Sequence, residues 1–455
     1  MARDTTSDPK GHIVKRILGS IFPRPVVPRT DADRRRTVLE FLVLHMRPVR
    51  VRRSTVRYTH TFGLGGMSLV LIGLLMASGI LLMLAYEPSP DHAFSSIRSI
   101  ENEMLFGSMV RAVHHWSANI LVAVAFLHLL RVFCTGAYHG PRRFNWVIGL
   151  GLLVGILAAN FTGYLLPWDQ LSYWAVTICT GMLGYFPVIG EWLQAFARGG
   201  SEIGRGTLVL FYSFHTTVVP VVLIVLMAFH FWRVRKARGV VSPHPRDKQE
   251  DDDSEMVLTL PNLLVRELAV GLTVVAVVML VAALFEAPLG APANPGMSPN
   301  PAKAPWYFMG FQELQIHLEP LIAVVILPVS GALSLMLLPY LRFDHELSGP
   351  WFLSKTGRTT GAVAAVVALI VTPLLILIDE FWLQQVGGAG WIAVAVIAAL
   401  ITAFTYVMKK KFNPEKAELV QALFILFLVA FAILTITGVW FRGPGMALVW
   451  PWIGG

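Results

Sequence analysis

Apolar residues in this chain fall in runs of about twenty, separated by polar stretches that carry most of the charge. Wound as an α-helix, such a run spans the ~30 Å hydrocarbon core of a bilayer. Nine runs are long enough: about 64–86, 107–134, 145–165, 207–235, 264–286, 320–341, 360–379, 391–409 and 418–440. They predict nine transmembrane helices and an all-α, polytopic bundle.

The polar stretches alternate in kind. Those after the second, fourth, sixth and eighth runs hold Arg131, Arg142 and Arg143; Arg233, Arg235, Lys236 and Arg238; Arg342, Lys355 and Arg358; and Lys409, Lys410 and Lys411. The stretches between them hold Glu87, Asp91, Glu101 and Glu103, or Asp379 and Glu380. Basic loops stay on the cytoplasmic side. The pattern therefore predicts a cytoplasmic N-terminus and an external C-terminus. Residues 1–60, with Arg34-Arg35-Arg36 and Arg50, Arg52, Arg53 and Arg57, read as a basic cytoplasmic segment. They lack the short apolar core and cleavage site of a signal peptide.

Two outer loops are long. Residues 166–206 contain PWDQLSYWAV and predict a short helical hairpin on the membrane face. Residues 287–319 open with six prolines between Pro288 and Pro305, so their first half is not regular helix. A polar linker at 239–256, with Asp251-Asp252-Asp253, divides four predicted helices from five.

Composition agrees. The chain is 55% hydrophobic and 14% charged over 455 residues, where a soluble protein carries about 25% charge. The net charge of +9 sits in loops and at the N-terminus, so it does not imply nucleic-acid binding. Two cysteines, Cys134 and Cys179, are too few for a disulfide framework, and no C-x-x-C-H motif offers covalent haem attachment.

The chemistry lies in the histidines. Of 13, five fall inside predicted spans, all on the second and fourth. Ionisable groups in a span are costly and usually face the bundle interior for a function. His114 and His128 are 14 residues apart. That interval returns to nearly the same helix face, ~21 Å along the axis. His215 and His230 repeat the arrangement with an interval of 15, and Pro220 between them lets the helix absorb the extra residue. Both spans run inward, so His114 pairs with His215 and His128 with His230. Each pair suits the two axial positions of a b-type haem. His115 points about 100° away from its neighbour and reads as a satisfied polar residue.

Glycines repeat the interval. Gly65 and Gly79 on the first span, and Gly149 and Gly163 on the third, are each 14 apart. A macrocycle wedged in the bundle needs backbones without a Cβ beside it; ordinary small-residue packing is the plainer reading. Arg111 and Arg131 each lie three residues from a candidate ligand. They suit haem propionates or snorkelling at the membrane edge.

VRAVHHWSANILVAVAFLHLLRVF, TGYLLPWDQLSYWAVTICT and RGTLVLFYSFHTTVVP resemble cytochrome b of the bc-type quinol–cytochrome c and quinol–plastocyanin oxidoreductases. The PWDQ form and the 15-residue interval are similar to the chloroplast-type branch. The resemblance runs from about Tyr58 to Leu341 and implies two non-covalent b haems. It implies His114 and His215 as ligands of the outer haem and His128 and His230 of the inner one. It also implies a quinol/quinone substrate, a Rieske iron–sulfur protein and a c-type cytochrome as partners, surrounding membrane lipid, and a homodimer. The implied seat is an energy-transducing membrane, such as a bacterial inner membrane. PNPAKAPWYFMGFQEL resembles the family's quinol-oxidation loop, usually Pro-Glu-Trp-Tyr, which assigns Trp306 and Tyr307 to quinol. Pro305 stands where the family has a glutamate that accepts a proton. Glu313 is the favoured substitute, with His317 and Glu319 as alternatives; Trp306 and Tyr307 are otherwise interface aromatics. Gly63 stands where chloroplast-type members attach a third haem through cysteine, so no covalent haem is expected.

The resulting division is a basic segment at 1–60, a four-helix di-haem domain at 61–238 and a linker at 239–256. A quinol-oxidation-loop domain resembling subunit IV follows at 257–342, and additional helices occupy 343–455. The last helices match the family only loosely and read as partner-docking or padding elements. Asp251, Asp252, Asp253 and Glu255 are candidate inner quinone ligands or simply a solvated linker. The implied function is quinone-cycle electron transfer with proton translocation. A di-haem anchor for a peripheral dehydrogenase is the alternative.

Overall fold

A computed structural model describes residues 29–40, 48–237, 239–241, 256–341, 343, 354–383 and 389–450. Most of the linker, including Asp251, Asp252, Asp253 and Glu255, lies outside these residues. Among those described, nine helices are long and apolar enough to cross a membrane.

After a short helix, α1 (Asp31–Glu40), the chain enters the first long helix, α2 (Leu64–Met83). A surface helix, α3 (Ala93–Glu103), leads to α4 (Gly107–Cys134), whose bounds coincide with the predicted second span. Helix α5 (Arg143–Tyr164) follows; then α6 (Gln170–Gly181) and α7 (Gly190–Arg198) form the predicted hairpin of the first long loop. Helix α8 (Arg205–Lys236) closes the first half. The second half runs α9 (Thr259–Leu284), α10 (Trp306–His317), α11 (Ile322–Tyr340), α12 (Lys355–Leu383), α13 (Ala389–Phe412) and α14 (Lys416–Trp440). Several ends differ from expectation by a turn. The first helix stops at Met83 rather than near 86, and the seventh runs from Lys355 to Leu383 rather than 360–379. At the seventh, Lys355 and the turn Asp379–Leu383 add ends that the apolar run alone does not include.

Helix α2 packs along α4, α5 along α8, and α9 against both α2 and α4. Leu71, Ala112, Leu121, Val122, Ile156, Leu223 and Val278 fill the space between them, and Tyr307 enters the same core from α10. Outward faces are uncovered and apolar: Val154, Val225, Leu280 and Ile370 are all more than half exposed. Hydrocarbon suits such faces, and helices alone satisfy their own backbone groups within it.

Besides helix packing, polar ties at both ends join the halves. A two-stranded antiparallel sheet pairs β1 (Arg50–Arg52) with β2 (Met256–Leu258), placing Val51 opposite Val257. At the other end Asp169 caps α6, accepting from Ser172 N at 2.9 Å. Its second oxygen accepts from Gly290 N at 2.8 Å. Gln170 N donates to Ala291 O at 2.8 Å, and the Gln170 side-chain oxygen accepts from Asn294 N at 2.6 Å. The PWDQ segment thus clips the two long loops together.

Candidate functional site

Helix α8 shows how a 15-residue interval presents two histidines to one partner helix. Pro220 has no N–H to donate back along the helix. The turn before it, Phe214–Val218, is a π-turn, and Val219 N donates to Phe214 O five residues back. One residue is looped out, and the longer interval regains the face that 14 residues reach on a regular helix. The expected accommodation near Pro220 takes this form.

His114 and His215 face each other with ring centres 6.0 Å apart and planes at 69°. Two imidazoles on one metal need about this separation, given metal–nitrogen bonds of ~2 Å on each side. The outer nitrogens are engaged. His114 Nδ1 lies 2.9 Å from Ser78 Oγ, whose own proton goes to Leu74 O at 2.7 Å. His215 Nδ1 lies 2.9 Å from Ala159 O. Carbonyl and occupied hydroxyl oxygens accept, so both Nδ1 atoms carry the proton. Each Nε2 keeps its lone pair, the form a metal ligand requires. His128 and His230 are electrostatic neighbours at the other end of the same two helices.

Each of the four glycines lies against one of these rings. A Cβ on Gly79 would stand 3.2 Å from His114 Cε1, and one on Gly65 3.5 Å from His128 Cε1. On α5, a Cβ on Gly163 would stand 2.5 Å from His215 Cε1, and one on Gly149 3.5 Å from His230 Cε1. The flanking helices come close because these positions have no side chain. Among the described residues no three or more His, Cys, Asp or Glu groups converge on a metal-ion site. Each pair supplies two donors, leaving the rest of a coordination sphere to a macrocycle. The donor set fits haem.

The arginines are bound within the protein. Arg111 is buried, donating to Ala287 O at 2.8 Å and Pro288 O at 2.7 Å and pairing with Glu101. Arg131 donates from Nε to His60 O at 3.0 Å. Burial, then the Arg131 charge, lowers the His60 pKa despite its bond to Val241 O. His115 bonds to Asn119, whose side-chain oxygen accepts from Trp306 Nε1 at 2.9 Å. Tyr307 turns inward beside Tyr164 and Cys179, and burial raises its pKa. Phe308 meets Phe161 edge-on at 6.4 Å.

Glu313 is fully buried and bonded to a residue the sequence reading did not single out. Arg442, just beyond α14, donates Nε to Glu313 Oε2 at 3.0 Å and Nη2 to Oε1 at 2.7 Å. Its Nη1 reaches Glu380 Oε2 at 2.7 Å. His317 Nδ1 meets Asp379 Oδ2 at 2.7 Å, and its Nε2 meets Glu313 Oε1 at 3.2 Å. Burial alone raises the Glu313 pKa, but the His317 and Arg442 bonds outweigh it and hold it low. Burial opposes a charged His317, yet its two carboxylate partners raise its pKa above the ordinary value. Helices α12 and α14 therefore do more than pad the bundle: with the tail, they hold α10. Glu319 lies where the backbone of Gly390 closes on it.

The sequence profile of the cytochrome b/b6/petB family matches residues 51–238. Cytochrome b6 of Heliomicrobium gestii is 42% identical over 182 residues, 40% of this chain and 85% of that protein. Cytochrome b6 of Synechocystis sp. is 41% identical over 180 residues, 40% of this chain and 81% of that protein. A solved chain described as a hyperthermophilic respiratory Complex III superposes with a TM-score of 0.64. It is 23% identical and covers 95% of this chain and 97% of that one.

Proposed function

The chain belongs to the cytochrome b/b6 family, and we propose that it is the di-haem cytochrome b subunit of a quinol-oxidising, bc-type membrane complex. The observation that carries this is the pair of facing histidines with Nε2 lone pairs free, each ring covered by a glycine of the flanking helix. His114 with His215, and His128 with His230, would hold two non-covalent b haems. When bound, these would supply one-electron redox chemistry at two depths of the membrane.

The chain's own residues do the rest. Ser78 and Ala159 fix the tautomers of the first pair. Gly65, Gly79, Gly149 and Gly163 admit the macrocycles. Arg111 and Arg131 bring positive charge to the two levels. Trp306 and Tyr307 line the quinol side, with Asn119 setting the Trp306 indole. The PWDQ clip holds the two loops around that side. The Glu313–His317 cluster, rather than Pro305, takes up the proton.

Residues 61–238 would form the haem domain, 257–342 the quinol-oxidation domain, and 343–455 a scaffold for it. A Rieske protein and a c-type cytochrome would accept electrons outside, with quinone reduced inside, in a homodimer whose N-termini face the cytoplasm. Affinity purification from native membranes, followed by addition of a short-chain quinol, tests the reading. Co-purified Rieske protein and quinol-driven reduction of b-type absorbance are expected. Dithionite-reducible b absorbance that quinol never reduces would overturn it.

A further inference from the structure

The cluster around His317 has a property that a plain ion pair lacks. Its Nδ1 is bonded to Asp379 whatever the ring's charge. Its Nε2 faces both an acceptor and a donor: Glu313 Oε1 at 3.2 Å and Arg442 Nη2 at 3.4 Å. With a proton on Nε2, the ring donates to Glu313. Without one, it accepts from Arg442. Both protonation states find a partner in the same geometry, and a buried group that loses its partner on titration is penalised strongly. Glu313 has no such choice, since both of its oxygens receive donors from Arg442.

We propose that His317 is the proton-exchanging group of this half. It accepts a proton released by quinol and passes it through Asp379 toward the partly exposed Glu380. The proposal rests on the quinol-oxidising reading above. The step is a proton transfer: a quinol O–H bond breaks and an N–H bond forms at Nε2, through water along α10. The electron pair of the broken bond stays on the quinol oxygen, and the later loss of the electrons and of the second proton belongs to the iron–sulfur and haem-class acceptors already named. Tyr307 and His317 lie ten residues apart on one helix, or ~15 Å, so the cluster stands at the opposite end of α10 from Tyr307.

The charged groups facing His317 come from three elements: Glu313 on α10, Asp379 and Glu380 on α12, and Arg442 in the tail. Lys303, bonded to Val439 O at 3.0 Å, adds positive charge near Glu313. Helix α13 presents Ala393, Val394 and Ile397 to this end of α10.

The test uses the full chain in its native complex, with wild type and His317→Gln compared across pH. Two quantities are read: quinol-driven reduction of b absorbance, and the infrared imidazole band that changes between acid and alkaline buffer. The accepting form is neutral, so the wild-type rate should rise with pH through one step. In His317→Gln that step should vanish and the alkaline rate should fall about 10²-fold, with KM retained and the imidazole band lost. A step and band that persist in the variant would overturn the proposal. So would a rate lowered equally at every pH, the mark of a structural role. Should His317→Gln fail to assemble, Glu380→Gln decides: a several-fold slower alkaline rate supports the relay, and wild-type rates at every pH contradict it. If quinol reduces no b absorbance at all, the functional reading above has failed, and the infrared band still decides whether His317 exchanges a proton.

Discussion

The two halves of the molecule bury polar groups by opposite means. In the first half, four histidines stand as two pairs within the bundle, each partner on the facing helix and each ring under a glycine. In the second half, Glu313, His317, Asp379, Glu380 and Arg442 satisfy one another directly. The first arrangement sets imidazoles in pairs across the bundle and suits a ligand. The second closes on itself and suits a structural joint or a proton.

That contrast can be broken at graded cost. The largest effect is expected at the histidines. His114→Leu should remove one haem per chain and leave the other, read as a halved pyridine haemochrome count; His128→Leu should do the same for the second site. Loss of both haems from either change would show that the pairs are not independent. Next is Arg442→Leu, which leaves the buried Glu313 carboxylate with His317 as its remaining partner, at a cost of about 3–5 kcal/mol. Thermal unfolding should drop accordingly, and Glu313→Leu combined with Arg442→Leu should recover part of the loss. Strict additivity of the two changes would deny the coupling.

A smaller effect is expected at Gly163, where an added Cβ would stand 2.5 Å from the His215 ring. Gly163→Ala should shift the ring and weaken haem retention at that site. Gly66→Ala, with nothing within 4 Å of the added atom, should change stability by no more than about 0.5 kcal/mol. Equal behaviour of the two variants would remove the glycine argument.

The smallest effect is in pH. Glu313 has a lowered pKa, so its contribution is present above the ordinary 4.5 and lost as pH falls through its depressed value. His317 has a raised pKa, so its contribution is present below the ordinary 6.5 and lost as pH rises through its elevated value. The joint should therefore be firmest between those ordinary values. His317→Gln should abolish the alkaline decline in unfolding temperature and leave the acid one.

Sequence alone revealed these halves unequally, for a physical reason. The first half writes its site as an interval within single helices: 14 residues in α2, α4 and α5 return to one face, and pairing follows from helix direction. The π-turn was visible only as one surplus residue and Pro220. The second half writes its site across the chain. Glu313 and Arg442 are 129 residues apart, and no periodicity links them. Arg442 sits in WFRGPG, beyond the last apolar run, where a charge ordinarily means solvent. The likeness of α10 to a quinol-oxidation loop drew attention to Glu313 and to His317, but not to the arginine that holds the carboxylate ionised. In sequence PWDQ marks only a helical hairpin and a chloroplast-type likeness, whereas in the fold its Asp169 and Gln170 side chains bind the facing loop.

The most direct test of the account is a haem count on the purified chain: a dithionite-reduced minus oxidised spectrum, a pyridine haemochrome assay and a haem stain after denaturing electrophoresis. The account predicts two b-type haems per chain and no stained band, since Gly63 offers no sulfur for attachment. A count near zero in well-folded protein, or a stained band at the mass of the chain, would contradict it.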